Sequence, residues 1–437
     1  MGEFDAQAQA DDRAGHCRGV SLAKTSPSGS VRQQLRGQRR ILALMAVLMP
    51  VSALVGALGI ARIAYATDTF GSSNGVGLIA LVIAIAGAVM GVPAGVLVDR
   101  WDTRKALVLS VGGLAVVDLL LAVILLTGSM TPALALSLAA PEGLMLSLFI
   151  PAMANTQAAL VPSSARGATE ILNTLRNGVG GLIGVLVAKL VVNDGEIFLL
   201  AAIVTAACAA GAWWVSRPTD AQPVVTADPT SGPAVGLGAG LGELLSAIRA
   251  QPRLQASVTA DVVMRIVVPT QLVALFVVDR QILDSALLAV AAGVVGVLLG
   301  NVALATRGIS GNLSRTLLAV FSAYAGTLVI GFFLLTDDWL IGQALLMACL
   351  ITLGSGFSAY GLGLIAALNQ QWVPDEVRGR LTGVMASIRM IATSVGIVLA
   401  TYAIGVWDTR LFVGVLLGLL ACALTALQGF GRIGRES

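Results

Sequence analysis

The chain has 437 residues, of which 57% are hydrophobic and 12% are charged, and its net charge is +3. A soluble domain carries about a quarter charged residues, so this composition excludes an ordinary soluble enzyme and gives no nucleic-acid-binding surface. Apolar runs long enough to cross a bilayer as helices recur along the chain, whose mean hydropathy is +0.88. The alternating segments typical of a β-barrel do not occur, and the sequence predicts an all-α, multi-pass membrane protein.

The first 40 residues form a polar tail without hydrophobic periodicity. The tail has no apolar core followed by a cleavage site, so it is not a signal peptide, and we expect residues 1–40 to be a disordered cytoplasmic segment. It holds Cys17 and the only histidine, His16, while the other three cysteines lie in apolar runs as small core residues. No spacing suggests a metal site or a disulfide framework, and we expect neither metal nor cofactor.

Twelve apolar spans follow the tail in two groups of six, which predicts two pseudo-symmetric six-helix bundles. Spans 1 to 6 are predicted near residues 41–66, 76–98, 106–127, 132–158, 168–192 and 196–215. Spans 7 to 12 are predicted near residues 256–280, 285–305, 315–336, 339–368, 379–403 and 408–430. The N-terminal bundle therefore covers residues 41–215, the C-terminal bundle covers residues 256–430, and residues 431–437 form a short cytoplasmic tail.

Residues 216–255 separate the two bundles and begin with "SRPTDAQPVVTADPTSGPAVGLGAG", a stretch rich in Pro, Thr, Asp and Gly. Such a stretch cannot span a membrane and predicts a cytoplasmic linker.

The distribution of Lys and Arg predicts the topology. With the N-terminus inside, most of the 27 basic residues fall in the tails, the linker and the loops between spans 2–3, 4–5, 8–9 and 10–11, as the positive-inside rule expects. The outer loops carry mostly acids, namely Asp194, Glu196, Asp284, Asp337 and Asp338. Both termini are therefore expected in the cytoplasm, and the excess of Arg over Lys is typical of GC-rich bacteria, so we expect a bacterial inner-membrane protein.

An internal repeat supports the two bundles. The stretch "LVPSSARGATEILNTLRN" follows span 4, and "WVPDEVRGRLTGVMASIRM" follows span 10. Pro162 corresponds to Pro374, and an arginine follows within each helix, at Arg176 and Arg389. Because the two copies occupy equivalent topological places, they indicate a parallel repeat of six helices, which is typical of secondary transporters.

The loop between spans 2 and 3, "GVLVDRWDTRK", has the pattern Gly95-x-x-x-Asp99-Arg100-x-x-x-Arg104-Lys105. This pattern resembles the loop 2–3 motif of the major facilitator superfamily. An aspartate stands where the family usually has a glycine, as in one bacterial exporter branch. The stretches "FIPAMANTQAALVP" and "NQQWVPDEVRGRLTG" are similar to the same branch, which includes macrolide, siderophore and lysophospholipid transporters.

The resemblance implies a gate at this loop. In that family the loop acid bridges to the start of helix 11 when the cytoplasmic side is shut, so Asp99 is expected to meet the positive end of that helix. Arg100 is expected to pair across the two halves. The start of span 11 holds Asp375, Glu376 and Arg378, which complete the candidate gate. The alternative is that the basic residues of the loop only anchor the topology.

Ionisable groups at bilayer depth are costly, so each one is a candidate for function. Glu142 lies near the middle of span 4, which the resemblance places beside the central cavity. Pro141 and Gly143 flank it and predict a distorted helix with free carbonyl groups. Since a desolvated carboxylate can take up a proton, Glu142 is the first candidate for proton coupling or for attracting a cationic substrate. The alternative is a permanent ion pair with a neighbour such as Arg176.

Six further charges in the spans are candidates. Asp261 and Arg265 are four residues apart and share one helix face, which predicts a structural ion pair or, alternatively, a gate that breaks and re-forms. Asp118 in span 3 either takes part in transport or packs against polar groups of a neighbour. Arg389, like the arginine of span 5, either binds an anionic group or neutralises nearby acids. Arg62 either snorkels to the outer interface or guards the outer mouth.

Together these features predict a secondary transporter that works by alternating access and exports a small amphipathic compound in exchange for protons. A lipid or lysophospholipid flippase, or an uncoupled carrier, is the alternative, because "GGLIG" in span 5 lacks the proline of antiporters in the family. No Walker motif, metal cluster or available histidine supports an enzyme. The expected partners are the bilayer, protons and a small-molecule or lipid substrate, with no nucleic acid, and we expect a monomer.

Overall fold

The computed structural model describes most of the predicted spans. Its described ranges are 38–71, 74–162, 165–191, 193–217, 255–268, 286–307, 313–334, 342–372, 378–406 and 414–421. Within these ranges the chain is almost entirely α-helical and contains no β-strand. Most of the predicted N-terminal tail and linker, and the whole of the predicted C-terminal tail, lie outside them.

The first half of the chain forms helices α1 to α7. Their bounds are α1 Arg39–Val47, α2 Met49–Phe70, α3 Asn74–Arg100, α4 Thr103–Leu126, α5 Pro132–Leu160, α6 Arg166–Leu190 and α7 Asp194–Val215. Helices α1 and α2 together make span 1 and are interrupted only at Leu48. Each of the six spans lies within a few residues of its predicted position.

The second half is described in shorter pieces, α8 to α13. These are α8 at 255–268, α9 Ala286–Arg307, α10 Leu313–Leu334, α11 Gly342–Trp372, α12 Arg378–Val406 and α13 at 414–421. They overlap predicted spans 7 to 12 in order, and none extends more than four residues beyond its predicted bounds. Among the described residues of both halves, eight helical stretches are long and apolar enough to cross a membrane.

Short capped turns join the helices of the first half. The Asp102 side chain accepts a hydrogen bond from the backbone N–H of Arg104 at 3.1 Å and caps α4. The Thr131 hydroxyl accepts one from the Leu134 N–H at 3.3 Å and caps α5. Such caps satisfy the backbone N–H groups that a helix start leaves free, and the short turns between them force neighbouring helices to run antiparallel.

Several arginines of the first half lie at one of its two ends. The basic end is defined by Arg39, Arg104, Arg166 and Arg217, which lie at the starts of α1, α4 and α6 and the end of α7. An apolar core cluster packs near this end. A second cluster packs towards the opposite end, where Tyr65 meets Phe198 edge to face with ring centroids 5.8 Å apart. At the basic end the Arg104 guanidinium lies 3.4 Å from the centre of the Trp213 ring and ties α4 to α7.

The two halves meet along α3 and α12. A Cβ atom on Gly91 would collide with the Ser387 side chain, and one on Gly383 would lie 2.5 Å from the Gly91 carbonyl oxygen. The Ser394 hydroxyl donates a hydrogen bond to the Ala80 carbonyl at 2.9 Å, further towards the opposite end. The stripe of Gly87, Gly91 and Gly95 thus allows two backbones to touch, as its spacing predicts.

A second contact between the halves joins α6 to α9. The side-chain amide of Asn301 donates a hydrogen bond to the Thr174 carbonyl at 2.9 Å. Gly178 leaves the space that the Asn301 side chain needs. Ile171 packs into the apolar core of the second half, beside Leu304. The polar side chain of Asn301 therefore bridges the two halves.

Candidate functional site

Glu142 of α5 forms an ion pair with Arg62 of α2, through Arg62 Nη2 and Glu142 Oε1. The Glu142 side chain is only 5% exposed, whereas that of Arg62 is 22% exposed. The partner of Glu142 is therefore Arg62, and not the Arg176 that the sequence suggested as an example. Arg62 does not extend to a membrane interface, because its guanidinium points into the bundle.

The neighbours of Glu142 explain its burial. Helix α5 continues through Pro141 and Pro151, which both lie inside it. Gly143 lies directly against the Ile83 carbonyl of α3, where any side chain would collide. This close approach presses α5 onto α3. Glu142 itself lies ten residues after Pro132, or about 15 Å along α5 at 1.5 Å per residue, which is near the middle of the span.

Asp118 of α4 completes a group that we call the N-half triad, consisting of Arg62, Asp118 and Glu142. Asp118 is 5% exposed and lies within electrostatic range of both other members. Tyr65, one helical turn beyond Arg62 on α2, also interacts electrostatically with Arg62 and Glu142. The triad therefore holds two buried carboxylates against one guanidinium. A buried charge without a partner is expensive, so such a group can retain or release one proton.

An open pocket of about 540 Å³ lies at the opposite end of the first half. Tyr65, Asp68, Thr69, Leu125, Gly128, Met130, Asn193, Asp194 and Gly195 line it. Tyr65 belongs to this lining and also neighbours the triad. The pocket thus lies at the end opposite the basic end, and Tyr65 is shared between its lining and the surroundings of the triad.

Asp261 of α8 is held between two arginines. Arg389 Nε donates a hydrogen bond to Asp261 Oδ2 at 2.5 Å, and Arg265 Nε approaches Asp261 Oδ1 at 3.4 Å. The predicted pair with Arg265 is thus present, but Arg389 of α12 is the nearer partner. The Asp261 side chain is 1% exposed, while those of Arg265 and Arg389 are 35% and 21% exposed. The carboxylate anchors two guanidinium groups that remain partly open.

Glu170 of α6 connects this pair to the first half, and sequence reasoning did not single it out. Its carboxylate interacts electrostatically with Arg389, Arg176 and Arg265, and it shares a side-chain hydrogen bond with Asn173. The signal in the sequence was an acid at the start of an apolar span. Acids without a function in transport also occur at the ends of membrane spans, at the interface with water, so the sequence alone did not mark Glu170.

Arg176 lies one and a half turns after Glu170 and is 8% exposed. Its Nη2 donates a hydrogen bond to Asn177 Oδ1 at 3.0 Å. The Ser52 hydroxyl of α2 donates to the same oxygen, also at 3.0 Å. Within the described part of the chain, Nε and Nη1 of Arg176 have no hydrogen-bond partner.

The candidate gate is only partly described. Gly95 lies against Gly383 of α12, and Arg104 stacks on Trp213. Lys105 is exposed on α4. Asp99 and Arg100 end α3 and Arg378 begins α12, but their side chains lie outside the described residues, as do Asp375 and Glu376 entirely. The predicted latch between the halves stays a prediction.

Comparison with known proteins supplies the family. A family profile described as Major Facilitator Superfamily matches residues 41–397. No curated protein sequence matches this chain. Many solved structures share its fold. The human organic anion transporter MFSD10 (TETRAN) has a TM-score of 0.66 at 14% identity, over 90% of this chain and 99% of that one.

The E. coli fucose:proton symporter has a TM-score of 0.64 at 13% identity, over 89% of this chain and 97% of that one. A bacterial homologue of the iron transporter ferroportin, in an outward-facing state, has a TM-score of 0.63 at 14% identity, over 90% of this chain and 99% of that one. Such identities show the fold alone. The profile covers most of the chain, from the first span to span 11, and the chain therefore belongs to the Major Facilitator Superfamily.

Proposed function

We propose that this transporter exports a small amphipathic compound by alternating access in exchange for protons. The N-half triad carries the proposal, because it places two buried carboxylates, Asp118 and Glu142, around the single guanidinium of Arg62. One carboxylate is neutralised by Arg62. The other is neutral in a dry environment only when it holds a proton.

The ion pair supplies a way to couple this proton to movement. When Asp118 holds the proton, Arg62 pairs with Glu142, as observed. When the proton leaves, Asp118 becomes a second anion that competes for Arg62. The competition weakens the bond between α2 and α5, so protonation biases the packing of the bundle. An equilibrium shifts only as far as a ligand distinguishes its states, and this competition provides that distinction.

The pocket at the opposite end gives the proton its route. Asp68 and Asp194 line the pocket together with Tyr65, which also interacts electrostatically with Arg62. We place the basic end in the cytoplasm of a bacterial cell, in accord with the positive-inside rule. Protons then enter from the outer side, down their gradient, while substrate leaves through the same side.

The basic end carries the proposed gate. The α3–α12 contact reaches Gly95 and Gly383 at this end, so the last turn of α3 lies close to the first turns of α12. In our proposal Asp99 and Arg100 latch onto the start of α12, near Arg378, when the cytoplasmic side is shut. Among the neighbours of like fold, one is described as a proton symporter and one as an organic anion transporter, which supports solute transport in general.

The experiment uses everted membrane vesicles in which an acidic lumen is imposed. Uptake of two xanthene dyes of opposite charge, rhodamine 123 and carboxyfluorescein, is followed in wild type, Glu142→Gln and Asp118→Asn. Glu196→Gln, an exposed acid at the start of α7, is the matched control. We expect gradient-driven uptake of a dye by wild type and the control. In both triad variants we expect a loss of about a hundredfold or more, which is the lower end of the effect of removing a proton-transfer group.

Two outcomes argue against proton exchange. Uptake that is unchanged when the gradient is collapsed supports the alternative of an uncoupled carrier for a lipid or lysophospholipid. Gradient-driven uptake that survives in both triad variants places the coupling site elsewhere.

A further inference from the structure

A cluster of charged side chains from both halves of the chain, on α6, α8 and α12, carries more positive than negative charge. Three guanidinium groups, those of Arg176, Arg265 and Arg389, surround two carboxylates, those of Asp261 and Glu170. We call these five residues the arginine cluster. Glu170 is their common neighbour, because it interacts electrostatically with all three arginines. The cluster therefore has an excess of one positive charge at bilayer depth, where an unbalanced charge is costly.

The excess is localised at Arg176. Asp261 engages both Arg265 and Arg389 directly, whereas the structure gives Arg176 no ion pair at 4.0 Å or less with any described acid. Its Nε and Nη1 atoms are buried and lack a partner among the described residues. Leaving a buried donor unsatisfied is costly, and more so for a charged group. The described residues supply no acceptor for these two donors, so they are available to an acceptor of another molecule.

Arg176 itself is buried, at 8% exposure, but polar groups on the same helix beside it are open or unpartnered. Asn177, which accepts its remaining hydrogen bond, is exposed although it lies in the middle of a membrane span. The side chains of Arg265 and Arg389, from the second half, are 35% and 21% exposed, and both interact electrostatically with Glu170 of α6. Asn173, on the same face of α6, keeps a buried Oδ1 atom without a partner among the described residues.

We propose that the transported compound is an organic anion whose carboxylate, sulfonate or phosphate group binds Arg176, with Arg265 and Arg389 completing the site. The anion adds the missing negative charge and makes the cluster neutral. Arginine suits this role because its planar fork binds such groups through two parallel hydrogen bonds. In the absence of substrate the Glu170 carboxylate interacts with the three arginines. It therefore competes with the substrate anion for them. The inference rests on the proposed transport activity and names the class of substrate.

The test measures binding to the full-length protein in lipid nanodiscs, without any proton gradient. The probes are naphthalene-2-sulfonate, 2-naphthoate and 2-naphthyl phosphate, with (2-naphthyl)trimethylammonium as a cation of similar apolar size. Binding is followed by the shift in melting temperature and by calorimetric titration. We expect at least one anion to stabilise the wild type while the cation does not.

Four variants locate the binding. Arg176→Gln is expected to weaken anion binding at least tenfold, and Arg176→Lys to weaken it less, because the charge remains without the fork. Glu170→Gln is expected to tighten binding by a similar factor, since it removes a competing anion. Arg217→Gln, an exposed arginine at the end of α7, is the charge-matched control and is expected to bind like the wild type.

Glu170→Gln also keeps the test decisive if Arg176→Gln does not fold, because a purely structural cluster gives no reason for tighter binding. The proposal is overturned if the cation binds as well as the anions, if no anion binds, or if neither the Arg176 nor the Glu170 variants change anion affinity. Because binding is measured without a gradient, anion binding that persists alongside failed proton-driven uptake contradicts the coupling mechanism alone.

Discussion

Asn177 and Arg389 make the same contact in the two halves of the transporter. Each lies eleven residues after the arginine of its repeated Val-Pro-x-x-x-Arg-Gly stretch, Arg166 or Arg378. Asn177 bonds to Ser52 on the first span of its half, and Arg389 bonds to Asp261 on the first span of the other. The repeat therefore preserves a polar link between its first and fifth helices, but the link is neutral in one half and ionic in the other.

The ionic link gives a prediction for stability. Removing one member of a buried ion pair leaves an uncompensated charge and costs about 3–5 kcal/mol. We expect Arg389→Gln and Asp261→Asn each to lower the melting temperature strongly, and the double variant to lose less than the sum of the two. Thermal unfolding of the purified proteins in one detergent measures this, with Arg217→Gln as the control. Strictly additive losses would show that the two residues act independently.

The α3–α12 contact gives a prediction about packing. Gly91→Leu introduces a side chain where even a Cβ atom collides with Ser387, so we expect a loss of about 1–3 kcal/mol in stability and loss of transport. Gly112→Leu, on the same half, has open space around its Cβ position and serves as the matched control. Gly91→Ala combined with Ser387→Gly is expected to be more stable than Gly91→Ala alone, because the second change removes the side chain that the new Cβ atom meets. Equal behaviour of Gly91→Leu and Gly112→Leu would mean that this contact does not constrain the helices.

The N-half triad gives a prediction about pH. In Arg62→Gln the two carboxylates Asp118 and Glu142 lose their counter-ion, so the folded protein is favoured when both hold protons. We therefore expect the melting temperature of Arg62→Gln to rise as the pH falls from about 8 to about 5, more than that of the wild type. The triple variant Arg62→Gln, Asp118→Asn, Glu142→Gln is expected to lose this extra dependence. A pH response that persists in the triple variant would come from other groups.

A reversible cross-link can test the movement of the two halves. Ser394 and Ala80 touch across the α3–α12 contact, on the side away from the basic end. In Ala80→Cys with Ser394→Cys, on a background where the exposed Cys349 is replaced by Ser, oxidation is expected to abolish transport and a reducing agent to restore it. Each single cysteine variant is the control. Unaffected transport after complete cross-linking, judged by mass spectrometry, would show that this contact does not open during the cycle.

The sequence predicted the spans well because the cost of placing polar groups in lipid acts on each segment separately. The link between Asp261 and Arg265 was also predictable, since both residues lie on one turn of one helix. The partner of Glu142 was not, because Arg62 comes from a helix 80 residues earlier, and only the packing of α2 against the bundle brings the two together. Arg389 and Asp261 are 128 residues apart for the same reason.

The glycine contact between α3 and α12 has a consequence for the energetics of the transport cycle. Where Gly91 and Gly383 meet, backbone touches backbone, so no side chain has to change rotamer when one half tilts against the other. The conformational entropy of this contact is then nearly the same in every orientation. In our proposals, one proton on the N-half triad and one anion on the arginine cluster then decide between the two ends of the cycle.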